Sequence, residues 1–309
     1  MKKKLTVEIS EGLGNQIFMY AFAFSISKKY NYDLFIDNRS GYSRKKNLLR
    51  PHQIYMLDNF NIVQNIADNQ MIFDTPFKRL KKKIQIFLDN FSYKKKFLIE
   101  KKIVAGNKKN IEKIINVDSD RISDNLYIQG NFENSIYFSN FKSELSKILT
   151  PKKKLIDIDN PLINRIKNSN SISLHIRKNR FSDQIDLKSS KNIHKSNFFT
   201  ENIINYTNKS IDYINSKVSN PEYFIWSNDH NNINDYLSKI KIKNYTLVNN
   251  NVINDFNLFS YCKHFIVGPS SFHWWGAWLN PNPNKICIRP KNINPSNNKN
   301  FWPENWISI

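Results

Sequence analysis

Phe265-Ile266-Val267-Gly268-Pro269-Ser270-Ser271-Phe272-His273-Trp274-Trp275-Gly276-Ala277-Trp278-Leu279-Asn280 is the stretch on which the fold turns. Three apolar residues in a row read as a buried strand, and Gly268-Pro269 closes it in a tight turn. Ser270-Ser271 then opens a helix whose tryptophans form its buried side. A strand, a turn and small hydroxyl residues at a helix start are how an α/β protein presents backbone N–H groups to an anion. The plain alternative is an aromatic core helix with no ligand. Polar clusters at other strand ends favour the anion site.

The same grammar extends in both directions. Leu5–Ile9 reads as a strand, Gly12-Leu13-Gly14 as a turn and Asn15–Tyr30 as a helix, with Ile17, Phe18, Ala21, Phe22 and Ile26 near helical spacing. Leu34-Phe35-Ile36 completes a βαβ opening. Its Gly-x-Gly is half of a dinucleotide fingerprint, and Ile17 occupies the third glycine position, which argues against a redox cofactor. From Met71 to Lys113, lysine clusters alternate with apolar residues at loose helical spacing, as in basic amphipathic helices with a solvated face. Tyr127-Ile128 is a short strand, and Pro151, a lysine triplet and Pro161 mark a domain boundary.

Beyond that boundary Ile172, Leu174 and Ile176 alternate along a strand ending at Arg177. Asn197–Lys217 is helical, and Tyr223–Trp226 is a strand ending in Ser227-Asn228-Asp229. Thr246–Val248 and Lys285–Ile288 are further strands, Asp255–Tyr261 is a short helix, and the tail 301–306 is aromatic enough to dock. The expected organisation is α/β, with one domain over 1–152, a second over 153–285 and a tail, 286–309, packing back toward the first.

Lys and Arg outnumber Asp and Glu by 47 to 26, a formal charge of +21, which favours anionic partners. Much of the excess is lysine among asparagine and isoleucine, the composition of a biased, solvated surface. Cys262 and Cys287 sit in apolar contexts and read as reduced core thiols of a cytosolic protein. Glu8 and Glu11 interrupt any signal-peptide core. No window reaches the roughly 18 continuous apolar residues of a membrane helix. The expected location is cytoplasmic, with peripheral contact at the inner membrane face left open.

His175-Ile176-Arg177-Lys178 puts a guanidinium and an ammonium at a strand end, suited to phosphate oxygens. Arg177 could instead pair with a carboxylate, and His175, on the face Arg177 occupies, could be a core histidine. Ser227, Asn228 and Asp229 could bind ribose or base edges, or cap the next helix. Asp255 is open to the same two readings. No histidine or cysteine spacing suggests a metal, and Asp118-Ser119-Asp120 and Asp157-Ile158-Asp159 lie in loop-like surroundings. A bound diphosphate would then be stabilised by Arg177, Lys178 and a helix start, without metal or cofactor.

Several of these segments resemble one family. Gly12-Leu13-Gly14-Asn15-Gln16-Ile17-Phe18-Met19-Tyr20-Ala21-Phe22 resembles the amino-terminal motif of the α-1,2-fucosyltransferases, glycosyltransferase family 11. His175-Ile176-Arg177-Lys178 is similar to the start of their His-x-Arg-Arg segment, Tyr223 to Asp229 to their second motif, and Asp255 to Leu279 to their third. The resemblance implies a GT-B fold, two Rossmann-like domains facing across a cleft, with the nucleotide sugar held mainly by the second. It implies an inverting transfer of L-fucose from GDP-β-L-fucose to a glycan hydroxyl, often galactose O2 in an α-1,2 linkage. The acceptor would be an oligosaccharide or lipid-linked glycan. Carried over by position, Arg177 grips the diphosphate with Lys178 beside it and His175 in support. Ser270, Ser271 and Phe272 lie at the phosphates, Asp255 and the Ser227-Asn228-Asp229 run at the nucleoside, and Gly14, Asn15 and Gln16 toward sugar and phosphate.

Two departures stand out. Asn179-Arg180-Phe181 replaces the usual Gly-Asp-Tyr after the basic pair, and Glu11 stands where the family often has glycine. An inverting transfer needs a base near the acceptor hydroxyl, for which Glu11 and Asp183 are the candidates, unless departure of the diphosphate runs ahead of attack and no strong base is needed. The altered segment leaves open another acceptor, another GDP-sugar, or a silent glycan- or nucleotide-binding relative. Nucleic-acid binding has the net charge in its favour and no recognised motif. Glycoside hydrolysis lacks a facing pair of carboxylates.

Overall fold

The computed structural model describes residues 3–43, 53–100, 119–177, 190–296 and 298–309. The chain divides into two compact units, Met1–Thr150 with Ser296–Pro303, and Pro151–Pro295 with Glu304–Ile309. Residues 286–309, expected as one tail, are therefore shared between the units. Each unit is a parallel sheet with helices.

In the first unit β1 (Lys3–Glu8) runs into α1 (Leu13–Tyr30), and β2 (Tyr32–Asp37) returns parallel to β1. From Leu13 to Ser27 every residue of α1 except Asn15 is buried, as befits a helix that is apolar nearly all round. Asn31, in left-handed conformation at φ 55°, ends it, its N–H donating to Ser27 O. Helix α2 (Pro76–Asp89) starts with Thr75 as N-cap and Pro76 in the first turn. β3 (Lys95–Ile99) and β4 (Ile122–Gln129) complete the order β2-β1-β4-β3. A short α3 (Lys142–Ile148) follows.

The helices expected over Met71–Lys113 are corrected here. Among the described residues of that span only 76–89 is α-helical, and the lysine-rich 95–99 is an edge strand. The reversal is fixed by Asp89, whose carboxylate accepts the N–H groups of Lys96 (2.8 Å) and Phe97 (3.2 Å). Residues 101–113 lie outside the described residues. At the centre of this unit Lys82 on α2 pairs with Glu8 on β1 (2.8 Å), both buried. The Tyr127 hydroxyl lies 3.0 Å from Glu8 Oε2 and 2.7 Å from Asp37 Oδ2.

The second unit begins with α4 (Pro161–Asn168), then β5 (Asn170–Ile176), the long α5 (Ser190–Lys217) and β6 (Pro221–Ser227). α6 (Asn234–Leu237), β7 (Tyr245–Leu247), α7 (Val252–Ser260), β8 (His264–Ile266) and α8 (Ser271–Leu279) follow, then β9 (Cys287–Arg289) and β10 (Ile307–Ser308). All six strands are parallel, in the order β10-β9-β8-β5-β6-β7. Ile172, Leu174 and Ile176 join Ile203, Ile211 and Ile225 in a buried apolar cluster. Ser171 and Ser173 alternate with them and are equally buried, so β5 is covered on both faces. Trp274 and Trp275 are wholly buried, and Trp306 of the tail reaches Trp274 with ring centroids 5.6 Å apart. Gly276 lets α8 lie against α7, since a Cβ there would sit 2.2 Å from the Phe259 ring. Cys262 and Cys287 are both buried. Among the described residues no helix is long and apolar enough to cross a membrane.

Candidate active site

The strand order locates the site in the second unit. From β5 the chain winds outward through β6 and β7, then returns with β8 on the opposite side of β5. β5 and β8 are therefore the neighbours between which the winding direction reverses, and open parallel sheets bind ligands at the carboxyl ends of such a pair. His175 and Arg177 stand at the end of β5, and the turn to α8 at the end of β8.

Gly268 brings these two ends together. A Cβ at this position would lie 2.2 Å from His175 O and 3.2 Å from His175 Nδ1, so only glycine lets the β8–α8 turn press on the end of β5. Ser270 follows as the extended N-cap of α8, and its side chain makes no capping hydrogen bond. The first-turn N–H groups of this helix, Ser271 and Phe272 among them, have no intrahelical acceptor and carry the positive end of the dipole. Ser270, Ser271 and Arg177 are partly exposed.

Beneath them His175 and His273 stack with centroids 5.3 Å apart, and His273 Nε2 lies 2.6 Å from Ser173 Oγ. Burial holds both imidazoles in the neutral form: it pushes His175 down to about 3, with Arg177 and His230 adding to the effect, and His273 well below its usual value. The Nδ1 atom of each ring is buried without a hydrogen-bond partner among the described residues. A neutral pair next to Arg177 adds no competing cation.

The neighbouring strand end is organised by Asp255. The N-cap of α7 is Asn251, whose side chain accepts from Ile253 N (3.1 Å) and Asn254 N (2.9 Å), so Asp255 is not needed as a cap. Its Oδ1 accepts from Trp226 Nε1 (3.1 Å) and from the backbone N and Nδ2 of Asn250 (both 3.3 Å). Burial nonetheless pushes its carboxyl up to about 6. Ser227 Oγ accepts from Asp229 N (3.1 Å), and Asp229 Oδ1 accepts from Asn232, so Ser227 and Asp229 form a local turn. Asn228 is exposed. Phe272 packs edge-on to Phe259 at 5.1 Å.

In the first unit the turn after β1 is built around Glu11, which holds φ 67°, the left-handed region that favours glycine. Asn15 Nδ2 donates to the Glu11 carboxylate. Gln16 is fully buried, its amide nitrogen donating to Glu11 O (2.9 Å) and Ile54 O (2.7 Å) and its oxygen accepting from Met56 N (2.9 Å). Its amide clamps the turn to the 54–56 segment and is used up in doing so. Gly14 is buried within the first turn of α1. Lys178, Asp183 and the Asn179-Arg180-Phe181 departure lie outside the described residues.

Within the second unit the structure thus gathers His175, Arg177, Ser270 and Ser271 around one strand pair. Asp255 stands at the next strand end over. Trp226, His273 and Asn250 are not among the site residues expected from the sequence, and Gly268 is expected only as a turn residue. The indole at the end of β6 becomes visible through register, which pairs His175 with Trp226, and the histidine in the first turn of α8 through its stacking on His175. Among the described residues no group of three or more His, Cys, Asp or Glu side chains is placed to hold a metal ion.

Comparison with known proteins identifies the family. The family model of glycosyl transferase family 11 matches residues 4–309. An alpha-1,2-colitosyltransferase of Escherichia coli is 26% identical over 311 residues, covering 99% of this chain and 98% of that one. The O-antigen biosynthesis glycosyltransferase WbnK of Escherichia coli is 25% identical over 317 residues, 97% and 99% of the two chains. The fold matches NodZ alpha-1,6-fucosyltransferase, solved after soaking with GDP-fucose, at TM-score 0.51 and 12% identity over 91% of this chain and 94% of NodZ. Arabidopsis thaliana FUT1, solved with GDP, matches at TM-score 0.52 and 11% identity over 94% and 71%. The chain is a glycosyltransferase of GT-B type and belongs to glycosyl transferase family 11.

Proposed function

From that membership, we propose that the enzyme moves L-fucose from GDP-β-L-fucose to a glycan hydroxyl, galactose O2 being the leading acceptor atom, with inversion at the anomeric carbon. The observation that carries this is the junction of β5 and β8, where Arg177 and the amino terminus of α8 lie at adjacent strand ends. NodZ and FUT1, of the same fold, were solved with GDP-fucose and GDP.

The acceptor oxygen attacks the anomeric carbon as the bond from that carbon to the β-phosphate oxygen breaks. The electron pair leaves on the diphosphate, and the acceptor proton passes to a carboxylate, Glu11 or Asp183. Charge builds on the leaving phosphate, and the Arg177 guanidinium, the Lys178 ammonium and the α8 amides stabilise it. Donors preorganised around that position would need no reorganisation as the bond breaks. Asp255, with Trp226 and Asn250, forms the nucleoside end, and the neutral His175 and His273 support Arg177 from below.

The test is release of GDP on incubation with GDP-fucose and a panel of β-galactosides, turnover persisting in EDTA. Neither turnover nor GDP binding would overturn the proposal. The colitosyltransferase relative favours a second donor, so GDP-colitose belongs in the same assay. Faster turnover with it would move the donor assignment and leave the site intact.

A further inference from the structure

Helix α2 sits the wrong way round for a solvated amphipathic helix. Phe77, Leu80, Ile84, Phe87 and Leu88, with Phe91 just beyond, recur at helical spacing on one side. They lie in solvent, from 54% exposed at Ile84 to 78% at Phe91. The opposite side, which faces the sheet, carries Lys78, Arg79, Lys82, Gln85 and Asp89, with Ile86 as its one apolar residue.

This orientation is held by specific bonds. Lys82 is buried against Glu8 at 2.8 Å, and the Asp89 carboxylate holds the backbone of Lys96 and Phe97. Arg79 donates to Ser43 Oγ (3.1 Å) and Asp74 O (2.9 Å). Rolling the helix to hide its apolar stripe would strand a buried Glu8 carboxylate without its cation, a costly state. The stripe is turned outward by construction.

Lysines flank it. At about 100° per residue Lys81 and Lys83 fall on its two edges, and both are exposed, as are Lys94 and Lys96 beyond the helix. Asp89 is the one carboxylate between Pro76 and Lys96, and it is buried. A second copy would bring the same cationic rims together, whereas an anionic bilayer surface complements both the apolar stripe and its edges. We infer that α2 is an interfacial anchor, lying in the plane of an anionic membrane with the Phe77–Phe91 stripe among the acyl chains and Lys81 and Lys83 at the headgroups. This goes beyond the transfer reaction and does not depend on it.

The test uses the whole protein and sedimentation with vesicles of equimolar phosphatidylglycerol and phosphatidylcholine, or of phosphatidylcholine alone. Binding to the anionic vesicles is expected, weakening as salt rises. Phe77→Ser with Phe87→Ser should lower that affinity roughly tenfold or more. Lys81→Glu with Lys83→Glu should lower it about as far on anionic vesicles alone. Because all four side chains are exposed, circular dichroism and melting temperature should stay unchanged in both variants. Absence of binding at low salt, or equal binding by wild type and the serine variant, would overturn the inference. So would a wild-type dimer that the serine variant converts to monomer, which would make the stripe an interface between copies.

Discussion

At the residue scale, Arg177 carries the proposed chemistry. Arg177→Ala should reduce kcat/KM by about 100-fold or more, the loss typical of one transition-state charge donor, and weaken GDP binding while the melting temperature holds. Unchanged kinetics would remove the role. Glu11 poses a separate question, because its φ of 67° is a conformation in which glycine carries no steric penalty. Glu11→Gly should stabilise the protein by up to about 1 kcal/mol. If Glu11 is the base, both Glu11→Gly and Glu11→Gln lose turnover while GDP still binds; if turnover survives in both, either Asp183 is the base or departure of the diphosphate runs ahead of attack and no strong base is needed. Two groups should tilt stability with pH in opposite directions. His175 is held neutral down to about 3, so the unfolded chain takes up its proton first, and stability is lost as pH falls from about 6.5. Its contribution reaches at most about 1.4 kcal/mol per pH unit. Asp255, raised to about 6, gives the reverse: its contribution is present below about 4 and lost as pH rises through 6. Urea midpoints from pH 4 to 7 should therefore fall less on acidification in His175→Gln, and less on alkalisation in Asp255→Asn, than in wild type.

At the scale of elements, the β8–α8 turn is the part that cannot be altered. Gly268→Ala places a methyl group 2.2 Å from His175 O, and the backbone must move to admit it. The expected cost is about 2 kcal/mol or more, with loss of GDP affinity as the amide cluster shifts away from Arg177. A melting temperature equal to wild type would show that the contact is not tight. Most of this architecture was legible in the residues. Gly268-Pro269-Ser270-Ser271 marked the turn and helix start, and alternation of Ile172, Leu174 and Ile176 marked β5. The edge strand 95–99 was not, because Lys94-Lys95-Lys96 gives the same charge pattern on a strand edge as on a helix. What decides it is the Asp89 carboxylate reaching forward to Lys96 and Phe97. The outward face of α2 was equally hidden: periodicity reveals an apolar stripe and says nothing of which way the stripe faces.

At the scale of the whole molecule, the proposed function rests on a strand order that no single motif contains. Periodicity named the strands, while the order β10-β9-β8-β5-β6-β7 made β5 and β8 neighbours and so set the strand ends that carry Arg177 and Ser270 side by side across almost a hundred residues of sequence. Tertiary register likewise brought Trp226, Asn250 and His273 into the site. Hydrogen–deuterium exchange with and without GDP tests the central claim most directly, since it reads the backbone amides themselves. Binding should slow exchange at Ser270 to His273 and around Arg177 together. Saturation with GDP that leaves both segments exchanging at their free rates would contradict the account.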